Sequence, residues 1–406
     1  MCRERKGLTL GPGHGPAQHP TNDGDEQGAH VCKEKKRSFH QGEPFTYLTN
    51  VSSSSSSRKD AKTRARANAK AHILRAQHWT PSSLASAVRE GHREALAQAI
   101  TWVESTLPEH QERIARLLEE IGTPALRSKR LGITGIPGAG KSTLIERFGM
   151  EAVQRGHKVA VLAIDPSSTR TKGALLGDKT RMHDLSMEPQ AFVRPTSASG
   201  TLGGVARATA EAILLCEAAG FDMVLVETVG VGQSEVAVRE MVDIFVLTLI
   251  GGAGDDVQGI KRGVVEMCDV LLIHKADGEH IPSCQKTAAA YRQALHLFPL
   301  PPSGTAAEVM LASSLTGEGH DKLWSHLMDL ETAWRASGWW EAQRKTQEAQ
   351  AMHRHAKQLL VDHHMHHRQA QWEALEQQLE QRSTGAFAAA RAWVNAALKA
   401  NEGNQT

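Results

Sequence analysis

Gly135-Ile136-Pro137-Gly138-Ala139-Gly140-Lys141-Ser142 decides how the rest of this chain is read. It fits GxxxxGK[ST], and it stands where that loop has to stand, between an apolar run, KRLGITGI (129–136), and a segment of helical spacing. Glycines let backbone N–H groups curl around a β-phosphate, and the helix N-terminus behind them adds positive potential. In such a loop Lys141 bridges β- and γ-oxygens, and Ser142 is a ligand for Mg²⁺. A nucleoside triphosphate is the expected ligand.

Working outward, short β-branched runs alternate with helical segments: KVAVLAID (158–165), AFVRPT (191–196), FDMVLVET (221–228), IFVLTLI (244–250), VLLIHKAD (270–277) and EVMLAS (308–313). Alternation of this kind implies right-handed crossovers and a mostly parallel sheet covered on both faces, a three-layer α/β domain over 128–330. Upstream, Leu84, Val88, Leu96, Ile100, Ile114, Leu117, Leu118 and Ile121 recur at three- and four-residue intervals, so 79–127 reads as a helical N-terminal domain with Ser82 or Ser83 as first N-cap. Downstream, 331–406 holds no proline and is rich in Ala, Gln, Glu, Arg and His. It reads as a long helical arm, broken near Gly385 before a short last helix, Ala386 to Leu398.

Residues 1–78 are compositionally a different object. They carry the run GPGHGPAQHP, six serines from Ser52 to Ser57 and the basic stretch Arg58 to Lys70, which together read as a disordered leader. The first 80 residues hold 14 Lys/Arg and 7 Asp/Glu, a net +7, whereas the other 326 hold 33 and 38, a net −5. The near-zero total of +2 gives no global pull toward nucleic acid or acidic membranes. No apolar run reaches the roughly 18 residues of a membrane span, so a cytoplasmic protein is expected, or a mitochondrial matrix one if the leader is a transit sequence. A leader that comes from a misplaced start codon is the other reading. Five cysteines without a CxxC pair fit a reducing compartment. Cys216, Cys268 and Cys284 read as core.

Phosphoryl transfer also needs carboxylates at strand ends to hold Mg²⁺ and orient water. Asp165 closes the second strand, Asp178 lies in the Gly-rich loop GALLGDKTRM, and Glu227 closes FDMVLVE before Gly230, whose backbone N–H can approach a γ-phosphate. Base recognition is expected at His274-Lys275-Ala276-Asp277. In the Asn-Lys-x-Asp pattern of many GTPases the Asp accepts from guanine N1–H and its exocyclic amine; Asp277 keeps that acceptor, while His274 replaces the Asn. The chain carries no obvious arginine beside the loop, so Arg181 or a partner residue is the expected finger.

The runs GIPGAGKST, AIDPSSTRTKGALLGDKTRM, GTLGGVARAT, VETVGVGQSE, GDDVQGIKRG and HKADG, in this order, resemble the MeaB/ArgK/MMAA family of GTPases, from about Leu84 into the arm. The resemblance implies a phosphate-loop fold of the signal-recognition and metal-insertion type that works as a homodimer, with helical extensions and dimerisation through the arm. It implies GTP/GDP and Mg²⁺ as ligands, Lys141, Ser142, Asp165, Asp178 and Glu227 as catalytic or metal positions, and Gln258 and Lys261 as switch residues. It extends the nucleotide set over Gly135, Pro137, Gly138, Ala139, Gly140, Thr143, Gly230, His274, Lys275 and Asp277 to Ser313, Ser314 and Leu315. The implied role is chaperoning cobalamin delivery to, and protection of, an adenosylcobalamin-dependent acyl-CoA mutase, with an adenosyltransferase as a further partner. Two other readings stand beside it, a nickel metallochaperone and a kinase of amino-acid transport components. The arm's His353, His355, His363, His364, His366 and His367 keep the first open, although they also read as a polar helix face. Trp334, Trp339, Trp340 and Trp372 are expected at dimer or domain contacts.

Overall fold

A computed structural model describes residues 79–105, 107–125, 127–165, 182–197, 202–228, 234–252 and 262–402. The leader, the 173–181 part of the Gly-rich loop with Asp178 and Arg181, Gly230, Gln258 and Lys261 lie outside these residues. Of Asp165 only the backbone is described.

Three helices come first: α1 (Pro81–Arg89), α2 (Arg93–Val103) and α3 (Pro108–Ile121). The first N-cap is Thr80, not Ser82 or Ser83. Thr80 accepts from the Ser83 N–H while the Ser83 hydroxyl answers from the N3 position, and Pro81 fills the turn between them. Ser82 instead reaches Glu120 on α3.

The strands are β1 (Lys129–Gly135), β2 (Val159–Asp165), β3 (Ala191–Ser197), β4 (Met223–Thr228), β5 (Ile244–Ile250), β6 (Val270–His274) and β7 (Glu308–Leu311). They form one parallel sheet in the order β3-β2-β4-β1-β5-β6-β7, with β1 at its centre. Between the strands run α4 (Lys141–Gln154), α5 (His183–Met187), α6 (Leu202–Ala218), α7 (Ser234–Arg239), α8 (Arg262–Met267) and α9 (Ile281–Leu295). The expected three-layer fold is present. Two strands are shorter than the runs 270–277 and 308–313: β6 stops at His274, where Lys275 takes a φ of 57°, and β7 stops at Leu311. Beyond those points the two segments still meet, Ala312 donating to Ile273 and Ala276 to Ala312, as a turn rather than a ladder.

Each face of the sheet has its own core. Ala160, Leu162 and Ile164 of β2 pack with α1, α2, α3 and α6. Val159 and Val161 point the other way, to Leu144 and Phe148 of α4, Leu185 of α5, and Leu323, Leu327 and Trp334 of α10 (His320–Ala336). This strict alternation is the two-residue period of a strand buried on both sides. The three first helices therefore share one core with the sheet. Cys216, Cys268 and Cys284 are buried in it, as expected.

The arm is more segmented than expected. After a turn at Ser337 and Gly338 (φ 78°) come α11 (Trp339–His367), a break at Arg368, α12 (Gln369–Glu380) and, past Gly385, α13 (Ala386–Glu402). Trp334 and Trp340 make contacts between the C-terminal helices and the sheet: both are buried beneath it, and the Trp334 indole donates to Thr305. Trp372 packs edge-on against Trp393 within the arm. Gln347 of α11 donates to the Val242 carbonyl at 2.7 Å, which seats the arm's base just before β5.

Candidate functional site

The carboxyl ends of β1, β2, β4, β5 and β6 open on one edge, and the phosphate loop leaves from the middle of it. Gly135 allows this departure: a Cβ there would lie 1.9 Å from the Thr248 carbonyl oxygen on β5. Gly140 caps α4 with a φ of 86°, and a Cβ on it would meet His274 Nδ1 at 2.8 Å. Both positions need a residue without a side chain.

Inside the loop, the Lys141 ammonium donates to the Gly135 and Ile136 carbonyls at 2.9 and 3.1 Å. Only 8% of the residue is exposed. Burial pulls its pKa below the usual lysine value, with Glu227 and Glu235 pulling it back up. Ser142 donates to Glu227 Oε1 at 2.9 Å, so the hydroxyl that opens α4 and the carboxylate near the end of β4 meet. Thr228 and Thr134 share a buried 2.7 Å hydrogen bond that ties the ends of β4 and β1 beneath them.

A hydroxyl and a carboxylate held together are hard oxygen donors of the kind that a hard divalent cation takes. Asp165 ends β2, the strand next to β4, where Ile164 is in register with Thr228.

The residues expected to recognise the base converge on the same edge. His274, 2% exposed, bonds through Nδ1 to the Ala139 carbonyl at 2.7 Å and through Nε2 to the Ser314 hydroxyl at 2.7 Å. The imidazole thus ties β6 to the phosphate loop on one side and to the loop after β7 on the other. That is where the departure from Asn leads: one ring supplies two polar atoms at fixed spacing. Burial holds its pKa below the ordinary histidine value. Asp277 accepts from the Ser313 hydroxyl, which also accepts from the N–H groups of Leu315 and Thr316. Leu315 itself is 83% exposed at the turn's tip.

Some participants carried no signal in the sequence. Arg147 of α4 donates to the Ser314 carbonyl at 3.3 Å and to Glu151 at 3.2 Å, and His320 at the start of α10 lies 3.1 Å from the Ser314 hydroxyl. Neither belongs to a motif, and His320 is 46 positions from His274. From Thr143 and Ser314 a cleft of about 570 Å³ runs along α4, past Arg147 and Glu151, to Arg155 and Asp321. Among the described residues no group of three or more His, Cys, Asp or Glu side chains gathers as a metal site. The side chains of His363, His366 and His367 fall outside that set. No helix among the described residues is long and apolar enough to cross a membrane.

Residues 96–369 match the family model described as methylmalonyl Co-A mutase-associated GTPase MeaB. A Caulobacter vibrioides protein is 52% identical over 263 residues, 64% of this chain and 80% of that one. The GTPase ArgK of Escherichia coli is 45% identical over 276 residues, covering 68% and 83% respectively. Among solved structures, one titled as an LAO/AO transport system kinase superposes with a TM-score of 0.60 at 33% identity, over 78% of this chain and 96% of that one.

Proposed function

Because this chain belongs to the methylmalonyl-CoA mutase-associated GTPase family MeaB, and so is a phosphate-loop GTPase, we propose that its GTP cycle gates cofactor delivery to an adenosylcobalamin-dependent acyl-CoA mutase. The observation that carries this reading is the meeting, at one sheet edge, of the Lys141 loop, the Ser142–Glu227 pair and the His274–Ser314 and Ser313–Asp277 ties. Those are the parts a guanine-nucleotide switch requires, and the family's name supplies the client.

In this reading the phosphates lie along the N–H groups of 135–142, and Lys141 gives up its carbonyl partners for β- and γ-oxygens. The charge that develops as water attacks the γ-phosphorus in line is then met by that ammonium. Ser142 and Glu227, with Asp165 and Asp178, would hold Mg²⁺, which supplies neutralisation of phosphate charge. Asp277 accepts from the guanine edge, and Gly230, Gln258 and Lys261 belong to loops that answer the γ-phosphate. Met352, Leu359, Leu360 and Val361 on α11 are each more than half exposed, which supports homodimerisation through the arm.

The test is GTP turnover by the full chain with and without an apo acyl-CoA mutase, paired with co-precipitation in GMPPNP and in GDP. Stimulated turnover and nucleotide-dependent capture are expected, with no phosphoprotein formed and no nickel retained. Equal or absent capture in both nucleotides would remove the chaperone reading.

A further inference from the structure

The neighbourhood of His274 contains a second buried histidine, His320, joined to it through Ser314. The Ala139 carbonyl can only accept, so His274 Nδ1 carries the proton in that 2.7 Å contact. In the neutral ring Nε2 is then an acceptor. Two groups converge on it, the Ser314 hydroxyl at 2.7 Å and the Ser314 N–H at 3.3 Å, and both donate. With its proton committed to His274, the Ser314 oxygen is left to accept, and His320 Nε2 lies 3.1 Å from it. His320, 1% exposed, turns its Nδ1 to Glu151 Oε1 at 3.5 Å, the same oxygen that receives Arg147. A neutral His320 has one ring proton: on Nδ1 it faces Glu151, and on Nε2 it donates to Ser314, which leaves the Ser314 hydroxyl to donate to His274 and His274 to donate to the phosphate loop.

We propose that His320 is a positioning residue for guanine nucleotide: by directing the Ser314 hydroxyl onto Nε2 it sets the orientation of His274, whose tautomer the Ala139 carbonyl fixes. His274 then locks the phosphate loop at Ala139 to the base-reading segment Lys275–Asp277 as one rigid piece. Ser313, next in the chain to Ser314, donates to Asp277, so the turn that His320 holds also aligns the carboxylate. This inference rests on the proposed reading of guanine at Asp277.

The arrangement has a pH consequence. The groups facing the two rings are Lys275 and Asp277 from the β6 loop, Arg147 and Glu151 from α4, and Ser314 from the turn between β7 and α10. Protonating His274 puts a proton on Nε2, opposite the Ser314 N–H, and reverses the chain. Burial lowers the pKa of both rings, which moves the reversal below the ordinary histidine range. Nucleotide affinity is therefore expected to fall on acidification.

The experiment measures GDP affinity, GDP release and steady-state KM and kcat on the full chain, from pH 7.5 down to 5.5, for the parent and for H320F, H320Q, H274N and D277N. His320→Phe is expected to weaken GDP binding roughly tenfold, the loss falling in KM and release rate rather than kcat. His320→Gln, whose amide donates to Ser314, restores most of it. His274→Asn has no ring to protonate or orient, so its acid-side loss of affinity disappears and H320F costs little in its background. Parental affinity in H320F would overturn the proposal. So would equal losses in H320F and H320Q that track the melting temperature of the nucleotide-free protein. Asp277→Asn separates the premise: if preference for GTP over ATP survives it, the base placement is wrong, whereas loss of preference with an inert H320F leaves the placement and removes the relay.

Discussion

The two ends of the central strands solve opposite problems with polar groups. At the amino end, Arg130 of β1 grips Glu217 of α6 with two bonds of 2.9 Å, and Arg344 of α11 grips Asp243, just before β5, and the Ser128 carbonyl. Burial pushes the Glu217 carboxyl up, but the bonds from Arg130 and Ser128 more than offset this and leave it below the usual carboxylate range. At the carboxyl end Lys141 donates to backbone carbonyls, and the ties at His274 and Ser142 run through single imidazole and hydroxyl contacts. At the amino end two cations and two anions are already closed on each other. An ammonium bonded to carbonyls, with Glu227 and Glu235 near its charge and glycines at positive φ around it, can exchange those carbonyls for phosphate. One edge of the sheet is a clamp for the arm and the other a socket.

The contrast can be broken from either side. The largest effect is expected at the socket: Lys141→Ala should lower GTP turnover at least about a hundredfold while leaving the melting temperature of the nucleotide-free chain within about 2 °C, read by phosphate release and calorimetry. A matching fall in melting temperature would mean that the socket is structural as well. At the clamp, Arg344→Ala leaves Asp243 buried without its main partner, and urea unfolding should register a loss of about 3–5 kcal/mol. Retained nucleotide affinity in the folded fraction would sharpen the separation of the two ends.

A third test concerns the arm's contact with α6. Glu211, buried against Arg207 and 3.8 Å from His355 of α11, has its carboxyl pushed up to about 7 by burial, with Arg207 pulling down. The folded chain holds that proton above the pH at which the unfolded chain loses it. The stability it contributes is complete below the ordinary glutamate value and is lost as pH rises through about 7. Glu211→Gln should flatten that slope, a difference on the order of 2 kcal/mol across the window, read from unfolding midpoints between pH 4.5 and 8. Thr80→Ala, which removes the cap of α1, should cost about 1 kcal/mol and leave turnover untouched.

Most of the site could be read from local pattern because phosphate binding is local chemistry. Gly135 to Ser142 needs a strand, a tight turn and a helix in succession, and eight residues encode all three. The strand runs were legible for a similar reason, since burial on both faces makes them apolar throughout. The first N-cap lies two or three residues before the expected Ser82 or Ser83 because Thr80, Ser82 and Ser83 have the same capping chemistry, and only backbone geometry chooses among them. Trp334 and Trp340 are legible as contact residues, but the sequence leaves open whether a second copy or the chain's own sheet receives them. Helical packing against Leu323 and Leu327 puts them inside. Arg147, Glu151 and His320 carried no signal, being ordinary polar residues of helices that meet Ser314 only after the chain has folded.

By itself the sequence determined the three-layer class, the nucleotide loop, the family and the order of the strands along the chain, because each follows from residue types at short, fixed spacing. The tertiary structure alone decided which polar groups face one another across that spacing. It brought His274 to Ala139 and His320 to Ser314, and Arg344 to Asp243 at the opposite edge, 101 residues apart in the chain. Hydrogen bonds and ion pairs act over about 3 Å, and no local pattern states which distant residues will come that close.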